Sequence, residues 1–225
     1  MNYKKDFIEF LVKSNALKFG EFTLKSGRIS PYFFSTGNFN TGESIYKLGY
    51  FYAALIKEEI IDFDVIFGPA YKGIPLAVAT SLALAKDFGM DKGYLFDRKE
   101  VKDYGDKSAF VGYEPEPGNK VLLIDDVMTT GKTKEDAVNM VKEQFDNVEF
   151  SGLVIAFNRQ EQDKDGNDAL LEFEKSYDIP VKAIVTVREV IDVLYNHKVD
   201  GKIYIDDGIK DKMENYLSKY GVKND

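Results

Sequence analysis

The sequence predicts an α/β fold, a mainly parallel sheet flanked by helices, and three observations predict it. Short continuous apolar runs alternate with helix-period stretches from Asp64 to Val187. The runs are apolar throughout rather than alternating, as in strands covered on both faces. The stretches from Gly68, Phe96, Asp125 and Phe157 onward carry unusual residues, and ligands of open parallel sheets bind beyond the carboxyl ends of the strands.

In chain order, Tyr3 to Ala16 places Phe7, Ile8, Leu11 and Val12 at helical spacing. Glu21 to Phe39 is aromatic and β-branched, broken by Gly27, Pro31 and Gly37, and reads as short strands and turns. Ser44 to Ile60 returns to helix, with Leu48, Tyr52, Leu55 and Ile56 on one face. Asp64 to Gly68, Gly93 to Phe96, Lys120 to Asp125, Val148 to Phe157 and Ile179 to Val187 are the expected strands. Ile74 to Phe88, Thr133 to Gln144, Ala169 to Tyr177 and Asp207 to Tyr220 are the expected helices. Arg98 to Pro117 is polar, holds Gly105, Gly112, Pro115 and Pro117, and has no period. It reads as a long functional loop.

Composition narrows the classes. The chain has 225 residues, which suits a single α/β domain. It has no cysteine, so thiolate metal sites, disulfides and cysteine nucleophiles are excluded. Its formal charge of -8 disfavours nucleic acid as a partner. A small anion remains possible wherever cations cluster. Met1 to Leu11 lacks an apolar signal core, and no run approaches a membrane span, so a cytoplasmic protein is expected.

The strongest motif is Val121 to Thr133. A strand delivers Asp125 and Asp126 at its end, followed by Val127, Met128, Thr129, Thr130, Gly131, Lys132 and Thr133 at the start of a helix. An Asp-Asp pair alone is ordinarily two solvated carboxylates. Here it precedes a glycine-bearing helix N-terminus, which binds phosphate through its backbone N–H groups. Acceptors for sugar hydroxyls beside a monophosphate cradle match the two ends of a 5-phosphorylated ribose. The Gly-Lys-Thr ending is not a P-loop, because Asp126 stands where that motif needs its first glycine. A second turn, Gly68 to Gly73, places Tyr71 and Lys72 where a diphosphate can be held. Arg98, Lys99 and Lys102 form a cation cluster at the opening of the long loop.

The Val121 to Thr133 pattern resembles the phosphoribosyl pyrophosphate motif of the type I phosphoribosyltransferases. Phe96 to Tyr104 narrows this to the orotate phosphoribosyltransferase family, whose flexible loop it is similar to. Phe22 to Arg28 resembles the segment whose lysine, here Lys25, contacts phosphoribosyl pyrophosphate (PRPP). Ser30 to Phe34 resembles the orotate-contacting segment, with Phe33 and Phe34 beside the base. Thr129 also falls at that contact. Asn158 to Glu161 resembles the segment whose arginine, here Arg159, pairs with the orotate carboxylate.

The resemblance implies a sheet with a small hood built largely from residues 1–40, and an active-site loop over residues 98–117. It also implies a homodimer in which that loop reaches the neighbouring site. Lys25, Lys72, Arg98, Lys99, Lys102, Asp125 and Asp126 would serve the chemistry. Tyr71, Tyr104 and the 127–133 turn would join them in holding PRPP. Mg²⁺ is implied as cofactor, held by PRPP and water, with no direct protein ligand. Orotate would attack the anomeric carbon through an oxocarbenium-like transition state.

One departure is Tyr104, where the family's loop usually carries histidine. The only histidine, His197, lies outside every motif. Lys132 stands where the family often has a small residue. The length leaves no room for a fused barrel decarboxylase, which needs about 250 more residues. Two alternatives remain. One is transfer to another base. The other is a non-catalytic PRPP-binding regulator on the same fold.

Overall fold

The computed structural model describes residues 3–99, 108–128 and 131–223. The chain opens with α1 (Tyr3–Lys13), then the antiparallel hairpin β1 (Leu17–Thr23) and β2 (Ile29–Phe34). Helix α2 (Gly42–Glu58) starts at a capping box in which Thr41 and Ser44 exchange side-chain and backbone hydrogen bonds. The α/β part follows as β3 (Val65–Phe67), α3 (Gly73–Phe88), β4 (Gly93–Asp97), β5 (Phe110–Gly112) and β6 (Lys120–Asp125). It continues with α4 (Lys132–Gln144), β7 (Glu149–Asn158), α5 (Ala169–Tyr177) and β8 (Val181–Thr186). Last come α6 (Val187–Leu194), the short hairpin β9 (Lys198–Val199) and β10 (Lys202–Ile203), and α7 (Asp207–Tyr220).

The main sheet has six strands in the order β5-β4-β3-β6-β7-β8. All neighbours are parallel except β4 and β5. The first strand of the parallel set, β3, therefore lies centrally between β4 and β6. Successive residues of each strand feed opposite faces. Ile66, Leu122, Ile124, Val154, Ala156 and Ile184 join the core under α1, α2, α3, α6 and α7. Val65, Phe67, Leu95, Val121, Leu123, Leu153 and Ile155 join a second core under α4 and α5. Both faces being covered explains the continuous apolar runs.

Three elements differ from the sequence reading. β5 lies inside the stretch read wholly as a loop. It is only three residues long and pairs antiparallel at the sheet edge, too short to show a period. Helix α6 was not expected: it begins at Val187, the last residue of the expected fifth strand, because Thr186 ends β8 and caps α6 in a capping box with Glu189. The β9–β10 hairpin is two residues per strand.

One buried group is unsatisfied. Thr80 in α3 is fully buried, and its Oγ1 has no hydrogen-bond partner among the described residues. Thr80→Val should therefore stabilise the fold by about 1 kcal/mol. Thermal denaturation should show a midpoint higher by roughly 2–4 °C. A lowered midpoint would mean that the hydroxyl is satisfied in solution.

Candidate active site

The carboxyl ends of β3, β4, β6 and β7 carry the predicted residues. After β3, the chain turns through Gly68 to Gly73 into α3. A Cβ on Gly68 would lie 2.1 Å from the Gly73 carbonyl oxygen, so the turn closes only with glycine there. The turn contains a cis peptide between Ala70 and Tyr71. Asp97, buried at the end of β4, accepts a 2.6 Å hydrogen bond from the Ala70 N–H and so fixes the turn to the neighbouring strand. Tyr71 is 71 % exposed above it.

β6 ends at the acidic pair. Asp126 is buried, and its Oδ2 accepts from Lys72 Nζ at 2.6 Å and from Thr36 Oγ1 at 3.1 Å. Its Oδ1 accepts from the Val127 N–H at 2.9 Å. The first turn and the acidic motif thus meet directly at Lys72 and Asp126. Asp125 faces the other way. Its Oδ1 accepts from the Asp126 N–H at 2.8 Å, and its Oδ2 accepts from the buried Lys134 ammonium. Burial pushes the Asp125 carboxyl above its ordinary pKa, Lys134 opposes that rise, and Asp126 adds to it. Gly131, at φ 77°, caps α4 in the left-handed region without any side-chain cap. Among the described residues no side chain accepts from the first N–H groups of that helix. Met128 is buried and Val127 half-buried, while Lys132 and Thr133 are exposed. Lys132 pairs with Asp136 at 2.9 Å.

β7 delivers Arg159. Its Nε and Nη2 donate to Glu161 Oε1 at 3.0 and 2.7 Å, and Nη2 also reaches Ser30 Oγ at 3.3 Å. The guanidinium lies 4.5 Å over the Tyr32 ring. Burial works against its charge, but Tyr32 and Glu161 outweigh that and raise its pKa. Glu161 also accepts from Tyr32 at 2.6 Å and from Tyr216 of α7 at 3.0 Å. Burial and then Glu161 push the Tyr216 hydroxyl up to about 12. Nη1 of Arg159 makes no hydrogen bond among the described residues, which leaves the outer edge of the fork for a ligand.

The β1–β2 hairpin packs against the end of β7. Phe34 is buried with its ring stacked on Phe157 at 5.1 Å, whereas Phe33 is 40 % exposed beside Phe22. Lys25 stands exposed on the hairpin turn and makes no hydrogen bond or ion pair among the described residues. Arg98 donates to the Ser108 carbonyl at 2.6 Å, and its N–H donates to the Ala109 carbonyl, so Arg98 lies against Ser108 and Ala109 at the start of β5. Lys99 is exposed. Lys102, Tyr104, Thr129 and Thr130 lie outside the described residues. His197 contacts Glu9 at 3.2 Å, away from these strand ends.

Sequence reasoning missed Thr36, Asp97, Lys134, Glu161 as a partner of Arg159, and Tyr216. Glu161 sat inside a quoted segment. Lys134 lay one residue beyond the motif as read.

Residues 35–178 match the phosphoribosyl transferase domain family. An orotate phosphoribosyltransferase of Clostridium botulinum is 45 % identical, with 98 % of this chain and 99 % of that protein covered. One from Bifidobacterium adolescentis is 48 % identical, with 96 % of each covered. The crystal structure of the Francisella tularensis orotate phosphoribosyltransferase superposes with a TM-score of 0.82 at 42 % identity, covering 96 % of this chain and 99 % of that one. With its fold, its acidic strand end and these full-length relatives in agreement, the chain belongs to the orotate phosphoribosyltransferase family.

Proposed function

We propose that this protein transfers the 5-phosphoribosyl group of PRPP to orotate. The products are orotidine 5'-monophosphate and pyrophosphate, a step of pyrimidine nucleotide synthesis. The observation that carries this reading is the junction of three strand ends. The Gly68–Gly73 turn, the acidic pair and Arg159 stand on β3, β6 and β7, adjacent in the sheet. They suit a diphosphate, a ribose and a carboxylate-bearing base respectively.

The residues divide the work. The open N-terminus of α4, with Thr129, Thr130 and Thr133, receives the 5-phosphate. Asp126 faces the ribose. Its pairing with Lys72 is exchangeable, because the Lys72 side chain is 59 % exposed. Lys72 then turns to the diphosphate, joined by Lys25, Tyr71, Arg98, Lys99, Lys102 and Tyr104. Arg159 takes the orotate carboxylate on its outer edge, with Phe33 lining the base. Asp126 also steadies positive charge on the ribose ring as the diphosphate leaves. No covalent intermediate is needed, and positioning with electrostatics supplies the rate.

Mg²⁺ fits as a companion of the diphosphate. Asp125 and Asp126 are each already faced by a lysine, and no group of three or more metal-ligating side chains occurs among the described residues. When bound, it neutralises charge on the departing pyrophosphate. We take the active unit to be a homodimer whose 98–117 loop closes the partner's site beneath the hood. Mixing inactive Lys102→Ala and Asp126→Asn chains should then restore activity in hybrids. We place the enzyme in the cytoplasm. Among the described residues no helix is long and apolar enough to cross a membrane.

The test is orotate consumption, followed by ultraviolet absorbance, with PRPP and Mg²⁺. Adenine, hypoxanthine and uracil serve as competitors. Turnover of orotate alone, abolished by chelating the metal, is expected. Conversion of another base instead would keep the ribose site and discard the assignment of Arg159. No turnover of any base would favour a regulator that only binds PRPP.

A further inference from the structure

The acidic pair is served by two lysines in different circumstances. Lys72 reaches Asp126 from solvent, whereas Lys134 reaches Asp125 from inside the protein. Lys134 and Asp125 are 7 % and 8 % exposed. Their positions matter as much as their burial. Asp125 is the last residue of β6, and Lys134 lies in the first turn of α4. The ion pair therefore joins the strand to the helix across the base of the turn expected to cradle the 5-phosphate. Both Asp125 oxygens are occupied within the protein, on Lys134 and on the Asp126 N–H, whereas Asp126 has the exposed Lys72 as its ionic partner and can exchange it for a ligand.

We propose that Lys134 is a positioning residue for PRPP, acting through Asp125 to hold the phosphate turn in its binding shape. The inference rests on the PRPP site described above but not on the identity of the base. A buried lysine with one carboxylate partner is costly unless the pair is kept together, so the two residues act as a unit. The charged groups facing Asp125 are Lys134 and Asp126, with Lys72 acting beyond Asp126. Removing Lys134 leaves Asp125 buried beside a like charge. Its carboxyl then takes up a proton at higher pH than before.

The direct experiment is calorimetric binding of Mg²⁺-PRPP to the full chain, without any base. Lys134→Met keeps the length and apolar character of the stem and removes the charge. It is expected to weaken PRPP binding at least 10-fold at pH 7. The loss should deepen as pH falls, with the acid limb of binding displaced upward by about one pH unit. Lys134→Gln keeps a donor for Asp125 and should recover part of the affinity while keeping the displaced limb. It also serves if the methionine variant does not fold. The pair Asp125→Asn with Lys134→Met should cost no more than the worse single change, because the two side chains share one role.

PRPP affinity and pH dependence like the wild type in either Lys134 variant would overturn the proposal, as would additive losses in the double variant. Failure of the wild type to turn over orotate would sink the base assignment alone. Failure of the wild type to bind PRPP would sink the site reading itself.

Discussion

Asp126→Asn should lower kcat/KM for PRPP by roughly 10²–10³-fold while leaving the melting temperature nearly unchanged. The carboxylate is buried at a strand end, and its partners are an exposed lysine and a threonine hydroxyl. Asparagine keeps its one oxygen for the Val127 N–H, and its amide group can donate to the Thr36 hydroxyl. What it loses is the negative charge that faces the ribose ring. Lys72 can turn into water, so no buried charge is stranded. Asp125→Asn is the contrasting case, since it strands the buried Lys134. That change should cost about 3–5 kcal/mol and lower the melting temperature by roughly 10 °C. Steady-state kinetics and thermal denaturation on the two variants check the division. Equal losses of stability would show that both carboxylates are structural, and the outward role of Asp126 would be abandoned.

What could be read in advance was whatever is local in the chain. Asp125, Asp126 and Gly131 declare themselves within one strand-turn-helix unit, and Gly68 to Gly73 within another. The apolar runs became strands because burial on both faces of a parallel sheet demands continuous hydrophobicity, which shows in the chain as a short unbroken apolar run. The missed partners are of a different kind. Thr36 meets Asp126 across 90 residues, and Tyr216 meets Glu161 across 55. Nothing in the local pattern around Thr36 or Tyr216 states such a pairing. It exists only after the turn that follows the hairpin has packed over the end of β6, and α7 beside the end of β7.

Lys134 was hidden for another reason. A lysine in the first turn of a helix ordinarily reads as solvated, and only the fold shows this one buried. Helix α6, by contrast, was legible. Thr186-Val-Arg-Glu189 is a capping-box signature, passed over because the preceding β-branched run carried the strand reading on to Val187.

Arg159→Ala should raise the KM for orotate by roughly 10²–10³-fold, at about 1.5–3 kcal/mol for each lost charge-assisted hydrogen bond. The KM for PRPP should change little, because the acidic pair and the Gly68–Gly73 turn do not contact Arg159. The change also removes the counter-charge of Glu161. That carboxylate keeps two hydroxyl donors, Tyr32 at 2.6 Å and Tyr216 at 3.0 Å, so it remains hydrogen-bonded but alone in its charge. A stability loss of about 3 kcal/mol is therefore expected beside the kinetic one. Arg159→Ala with Glu161→Gln separates the two effects, since it removes the stranded charge. Stability should return in the double variant, and affinity for orotate should not. Arg159→Lys should fail as well, since one ammonium cannot serve Glu161 and a ligand carboxylate in the same plane. Uracil, which has no carboxylate, should lose nothing in any of these variants. If orotate instead kept its KM when Arg159 was removed, the guanidinium would be a structural brace between β7 and α7. The base would then be recognised elsewhere, and the preference among bases would have to be sought at Phe33 and the hairpin.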